Sequence, residues 1–144
     1  MDELFAALEQ AFADYRQDLE GFQRKRKPTD GLLGFGRTLG DDPCNERLDE
    51  RIRQTVEALC VLQPSPGEAE RAIRLLLFDQ GTKAWPTEAQ WMLRTVERHA
   101  LPLIPYLEKE RSALLCQEYG KRYRPWDRLP VQKQVYKALK AKVI

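Results

Sequence analysis

This chain of 144 residues is poor in the side chains that most often carry chemistry. It has one histidine, His99, and two serines, Ser65 and Ser112. Its three cysteines, Cys44, Cys60 and Cys116, include no CxxC pair. An odd count in a chain of this size does not read as a disulfide framework. A single imidazole leaves a zinc site short of its usual nitrogen ligands. The cysteines are therefore expected to be small buried hydrophobes in a reducing compartment. Long apolar runs are absent too. The greasiest stretches, Ile73 to Phe78 and Ala100 to Leu107, are broken by charge or proline, well short of the roughly 20 residues that cross a bilayer. The opening MDELFAALEQAF starts with two acids, where a secretory leader needs positive charge. A cytoplasmic protein that does not enter a membrane is expected.

The motifs that carry catalysis fail on their details. Gly31-Leu-Leu-Gly34-Phe-Gly36 invites a phosphate-loop reading, but Arg37-Thr38 follows it and no strand pattern precedes it. A P-loop needs lysine and then a hydroxyl after its last glycine, to reach the phosphates and Mg²⁺. Glu46, Asp49 and Glu50 form one acidic cluster. Two-metal phosphate chemistry on helices needs a second acid pair on a facing helix, and the later segments offer none. Arg47, Arg51 and Arg53 interrupt the cluster, which reads as a salt-bridged surface. Neither serine sits in a nucleophile elbow. His99 has no acid at a three- or four-residue step on its own helix. A helix-turn-helix across Ala72 to His99 would need a shorter turn than Asp79 to Pro86 provides. An enzyme is not the expected reading, and neither a cofactor nor a metal is expected.

Helical periodicity is what the chain does have. Leu4, Phe5, Leu8, Phe12, Tyr15, Leu19 and Phe22 recur at three- and four-residue steps, so a helix is expected over 2–23. The stretch 24–43 is rich in glycine yet carries Leu32, Leu33, Phe35 and Leu39. It is expected to be a loop that docks on the core or on a partner, its Gly-rich part near 28–41. Asp42 can cap a helix that opens on Pro43, with Leu48, Ile52, Val56, Leu59 and Leu62 inward. Ser65-Pro-Gly-Glu68 is a capping box for the next helix, stopping near Gly81. Thr87 to Gln90 offers a second box. Pro105 is expected to open a fifth helix, with Leu107, Leu114, Leu115 and Cys116 inward. Asp127 is expected to cap the last helix, running to about Lys142, with Trp126 stapled to Val131. No segment alternates as a strand does and no repeat of solenoid length is present. The expected fold is all-α: a single-domain bundle of about six helices over 1–144 with short loops.

The net charge of +2 hides an asymmetry. Residues 1–23 hold six acids against Arg16, whereas 119–144 hold eight bases against Asp127. In the C-terminal part Lys121, Arg122, Arg124 and Arg128 interleave with Tyr119, Tyr123 and Trp126. Lys133, Lys137 and Lys140 share one face of the last helix; Val131, Val135, Ala138, Leu139 and Val143 share the other. Bases among aromatics can meet phosphates and exposed nucleobases, and a basic amphipathic helix can dock on an acidic partner. The same pattern also suits a helix whose apolar face packs inward, with its lysines solvated and its acids supplied by the first helix. The candidate surface is Lys121, Arg122, Tyr123, Arg124, Trp126, Arg128, Lys133, Lys137 and Lys140. The leading expectation is a regulatory module acting through a protein partner or through self-association as a homodimer. Nucleic-acid binding by the basic region is the alternative. An enzyme with a helical pocket is a second alternative, which a pocket joining His99 or the acidic cluster to apolar walls would favour.

Overall fold

A computed structural model describes residues 1–25, 42–82 and 84–143. The Gly-rich stretch near 28–41, expected to dock on the core, lies outside the described residues. Among those described there are six α-helices and no strand, so the protein is all-α, as the periodicity predicts.

Helix α1 (Asp2–Lys25) buries Phe5, Leu8, Ala11, Phe12, Tyr15, Leu19 and Phe22 along one stripe. Asp2 and Glu3 in its first turn and Arg24 and Lys25 in its last complement the helix dipole. Helix α2 (Cys44–Val61) lies antiparallel to it, since Asp14 meets Arg51 and Asp18 meets Arg47. The Asp42 carboxylate accepts from the Cys44 amide at 3.0 Å, so it serves the helix start one residue later than expected. Leu48, Ile52, Val56 and Leu59 are buried, but Leu62 is 55% exposed. It sits at the C-cap, and Gln63 then turns left-handed at φ 52°, leaving Leu62 outside the stripe. Helix α3 (Pro66–Leu77) opens on the predicted capping box. Ser65 Oγ accepts from the Glu68 amide at 3.2 Å, and the Glu68 carboxylate accepts from the Ser65 amide at 2.9 Å.

Local expectation fails at the next junction. Thr87 makes no side-chain cap, and a 3-10 turn (Thr87–Ala89) leads into a short helix α4 (Gln90–Thr95). Chain continues as an eleven-residue 3-10 segment, Val96–Tyr106. Pro105 lies inside this segment instead of opening a helix. Leu107 and Glu108 are extended, and α5 begins at Lys109 (Lys109–Arg122). Helix α5 buries Ser112, Leu115 and Tyr119 at three- and four-residue steps. That turns Leu114 outward to 46% exposure, against the inward placement expected. Helix α6 spans Pro130–Ala141.

The 3-10 segment is the axis of the bundle. It packs against α2, α3 and α6, while α5 pairs with α6. Ser112 Oγ donates to the Leu139 carbonyl at 2.7 Å near one end of the α5–α6 pair. Its far end is tied at both sides: Tyr106 donates to the Cys60 carbonyl at 3.2 Å, and Lys142 to the Pro105 carbonyl at 2.9 Å. Glu97 and His99 are among its buried side chains, with Val96, Ala100, Leu103 and Ile104. Burying each of the larger apolar groups contributes about 1.5–3 kcal/mol.

Candidate functional site

The C-terminal basic region is built on the α5–α6 turn. Gly120 lets the two helices close up: a Cβ there would stand 3.3 Å from the Tyr136 ring. Two prolines then shape the connection. Each restricts the residue before it to extended backbone: Arg124, at φ −65° and ψ 158°, before Pro125, and Leu129, at φ −79° and ψ 170°, before Pro130. A 3-10 turn, Pro125–Asp127, lies between them. Asp127 is thus part of this turn, and Leu129 takes the N-cap position of α6 that Asp127 was expected to hold. Trp126 staples nothing; it is 81% exposed.

Lys121, Arg122, Arg124, Lys133, Lys137 and Lys140 are exposed, and Arg128 is half-buried. Arg128 donates to the Tyr123 carbonyl at 3.0 Å, with its guanidinium 3.9 Å from the Tyr136 ring centre. The acids of α1 do not answer these charges. Asp14 pairs with Arg51, Asp18 with Arg47 at 3.3 Å, and Asp2 with Arg71 at 3.7 Å. Two of the arginines that interrupt the acidic run of α2, Arg47 and Arg51, therefore serve α1, while Arg53 pairs with Glu50 and Glu57 of its own helix. Among the described residues, no ion pair joins a carboxylate to any base from Lys121 to Lys142.

Tyr119 and Tyr123 are buried rather than displayed. Both phenols donate to Glu97, Tyr119 at 2.7 Å to Oε1 and Tyr123 at 2.6 Å to Oε2. Glu97 itself is 2% exposed. Burial raises its carboxyl above the usual glutamate range, opposed by the two phenols, the Arg122 charge and Gln132. The same burial, with Glu97 beside it, pushes the Tyr123 phenol up to about 12. Arg94 closes the cluster from α4. Its guanidinium lies 4.7 Å from the Tyr123 ring centre and donates to the Asp127 carbonyl and to Gln132 Oε1. Gln132, fully buried, donates back to the Arg94 carbonyl at 3.1 Å and accepts from the Leu129 amide at 3.3 Å. Reading the chain misses this network. Its two halves, Arg94 with Glu97 and Tyr119 with Tyr123 and Gln132, are more than twenty residues apart, and Glu97 has no local signature.

A concavity of about 900 Å³ lies between α2 and α4. It brings Glu46, Asp49 and Glu50 beside Trp91 and Met92. His99 Nε2 meets Asp49 Oδ1 at 2.7 Å and Arg98 meets the same carboxylate at 2.8 Å. The acidic cluster thus does join apolar walls. Two of its three acids are engaged, however: Asp49 by Arg98 and His99, and Glu50 by Arg53 and Gln54. The serines are engaged elsewhere, Ser65 as a helix cap and Ser112 on the Leu139 carbonyl. No cluster of three or more metal-ligating side chains occurs among the described residues, and no helix there is long and apolar enough to cross a membrane. The cysteines are free; Cys44 is buried and its thiol is pushed up to about 12, chiefly by burial.

The chain matches no family model, no curated protein and no solved structure.

Proposed function

We propose that this protein acts by binding the acidic surface of a protein partner through the end of α5, the Tyr123–Leu129 connection and α6. The observation that carries the reading is the bare charge of this region. Its bases form no ion pair with a carboxylate among the described residues, while Asp18, Asp14 and Asp2 of α1 are already held by Arg47, Arg51 and Arg71. An acidic partner would supply what the chain does not. Trp126, 81% exposed, and Leu129, 43% exposed, give such a surface an apolar centre. Tryptophan and arginine are among the side chains most enriched in interface hot spots. A second copy of this chain is one form of such a partner, and light scattering on the eluted protein tests it.

Nucleic acid is the second reading, favoured by Trp126 standing between Arg124 and Arg128 in sequence, since an exposed indole can stack on an unpaired base. One titration separates the two. A labelled glutamate-rich peptide and a labelled oligothymidylate are each titrated with the whole protein at low and physiological salt. The first reading expects peptide binding that Trp126→Ala weakens about thirtyfold, the equivalent of a 2 kcal/mol hot spot. Preference for the oligonucleotide, with affinity falling steeply in salt, establishes the second. Binding to neither probe at low salt removes both.

A further inference from the structure

We infer that Glu97 is the positioning residue of this surface: through Tyr123, and with Arg94 and Gln132 beside it, it fixes the connection that carries Arg124, Trp126 and Arg128. The inference rests on the binding role proposed above, but it makes a structural claim that can be tested separately.

The connection has little to hold it in place on its own. Tyr123 through Leu129 lies between two helices and buries none of its side chains except Tyr123. Its ends bond the flanking helices, the Tyr123 amide to the Tyr119 carbonyl at 2.9 Å and the Lys133 amide to the Leu129 carbonyl at 3.0 Å. Within it there is one backbone hydrogen bond, from the Asp127 amide to the Arg124 carbonyl at 2.8 Å. What fixes it comes from the α4 and 3-10 side of the bundle. The Tyr123 phenol is anchored on Glu97 Oε2 at 2.6 Å, and Arg94 covers its ring. The Tyr123 carbonyl in turn receives Arg128 at 3.0 Å, which folds the far side of the connection back onto its start. In the middle Arg94 donates to the Asp127 carbonyl, one residue from Trp126. At the end Gln132 accepts from the Leu129 amide while bonding the Arg94 carbonyl. Beginning, middle and end are thus all tied to one stretch, Arg94 to Glu97.

The carboxylate is what this arrangement needs at its base. Both phenols can donate to it at once because it offers two oxygens. Each donor then fixes one edge of the group that fixes the other. Tyr119 is wholly buried within α5 and keeps the carboxylate from rotating. Tyr123, at the helix end, is the arm that reaches the surface. An indole left on a mobile loop must be ordered on binding, at a cost of about 0.5–1.5 kcal/mol for each side chain immobilised. A loop already fixed by Glu97 avoids that cost.

The test compares Tyr123→Phe and Glu97→Gln with Ser112→Ala, which loosens the other end of the α5–α6 pair without touching the cluster. Backbone ¹⁵N order parameters are measured across Arg124 to Leu129, and affinity for the glutamate-rich peptide is measured on the same samples. Tyr123→Phe keeps the ring and so the packing. The expected result is a fall from the rigid value of about 0.85 to below about 0.6 in this stretch alone. Peptide affinity should fall about five- to tenfold, while Ser112→Ala changes neither. Unchanged order parameters in both Tyr123→Phe and Glu97→Gln overturn the positioning role, whatever the peptide does. If the wild type ignores the peptide but the order parameters fall in the variants, the binding reading fails and the structural part of this inference stands. Equal losses in Ser112→Ala would reduce the effect to general destabilisation and overturn it as well.

Discussion

Replacing Tyr119 by phenylalanine removes one oxygen from the interior and nothing else. The ring keeps its edge contacts, 5.2 Å from Tyr123 and 6.3 Å from Phe78, so no cavity opens. The loss is one of the two phenolic donors to a carboxylate that is 2% exposed. A hydrogen bond to a charged group contributes about 1.5–3 kcal/mol, and water cannot take the vacated place in a site this closed. The expected destabilisation is therefore about 2 kcal/mol at pH 8. With an unfolding entropy near 2.1 cal/mol/K per residue, a chain of 144 residues should lose about 7 °C in melting temperature. Urea unfolding should show a lower midpoint and an unchanged slope. In a Glu97→Gln background the same substitution meets a neutral acceptor, and its cost should fall to about 1 kcal/mol. A cost below about 0.5 kcal/mol in the native background, or an equal cost in both, would refute the claim that these phenols hold a buried charge.

Glu97 also gives a signed pH dependence. Because burial raises its carboxyl in the folded protein, the folded chain keeps this proton to higher pH than the unfolded chain. Its contribution to stability is then complete below the unfolded value and is lost as pH rises through the folded one. Wild type should lose stability relative to Glu97→Gln as pH rises from about 4.5, and a difference that grows the other way in urea titrations would contradict the assignment. Cys44, buried with its thiol pushed up to about 12, should resist a thiol reagent at pH 8 until the protein unfolds, whereas the partly exposed Cys60 and Cys116 react first. Mass mapping of the labelled peptides reads that order directly. Ser65→Ala breaks the capping box of α3 and should cost about 1 kcal/mol, measured as a shift in the unfolding midpoint; no shift would mean that the box adds nothing.

The elements legible in the sequence are those whose signals are local. Helix α1 declares itself by a stripe of seven buried residues, and α3 by Ser65, Pro66 and Glu68 within four positions. The stretch from Thr87 to Glu108 was opaque for the opposite reason. Its helical texture is real, but Pro102 and Pro105 sit inside a 3-10 segment whose course is set by α2, α3 and α6 around it. Proline at a helix start and proline within a tight helix look alike from the chain. At α6 a second proline effect overrode the capping rule: Pro130 holds Leu129 extended, so Leu129 rather than Asp127 occupies the cap position. The candidate surface divides in the same way. The common face of Lys133, Lys137 and Lys140 follows from period alone. The burial of Tyr123 does not, because it depends on a glutamate 26 residues earlier.

The 3-10 axis has a consequence for the order in which the chain assembles. A segment of this kind has poor hydrogen-bond geometry, and runs beyond three or four residues rarely form without support. Eleven residues with two prolines cannot hold this shape in isolation, so Val96–Tyr106 must take it from helices already in place. The antiparallel α1–α2 pair and α3 have strong local signals of their own. They are the natural early structures, and the central element is the one that arrives late. The middle of this molecule is thus a product of its surroundings, and a peptide spanning 96–106 should show no helical circular dichroism on its own.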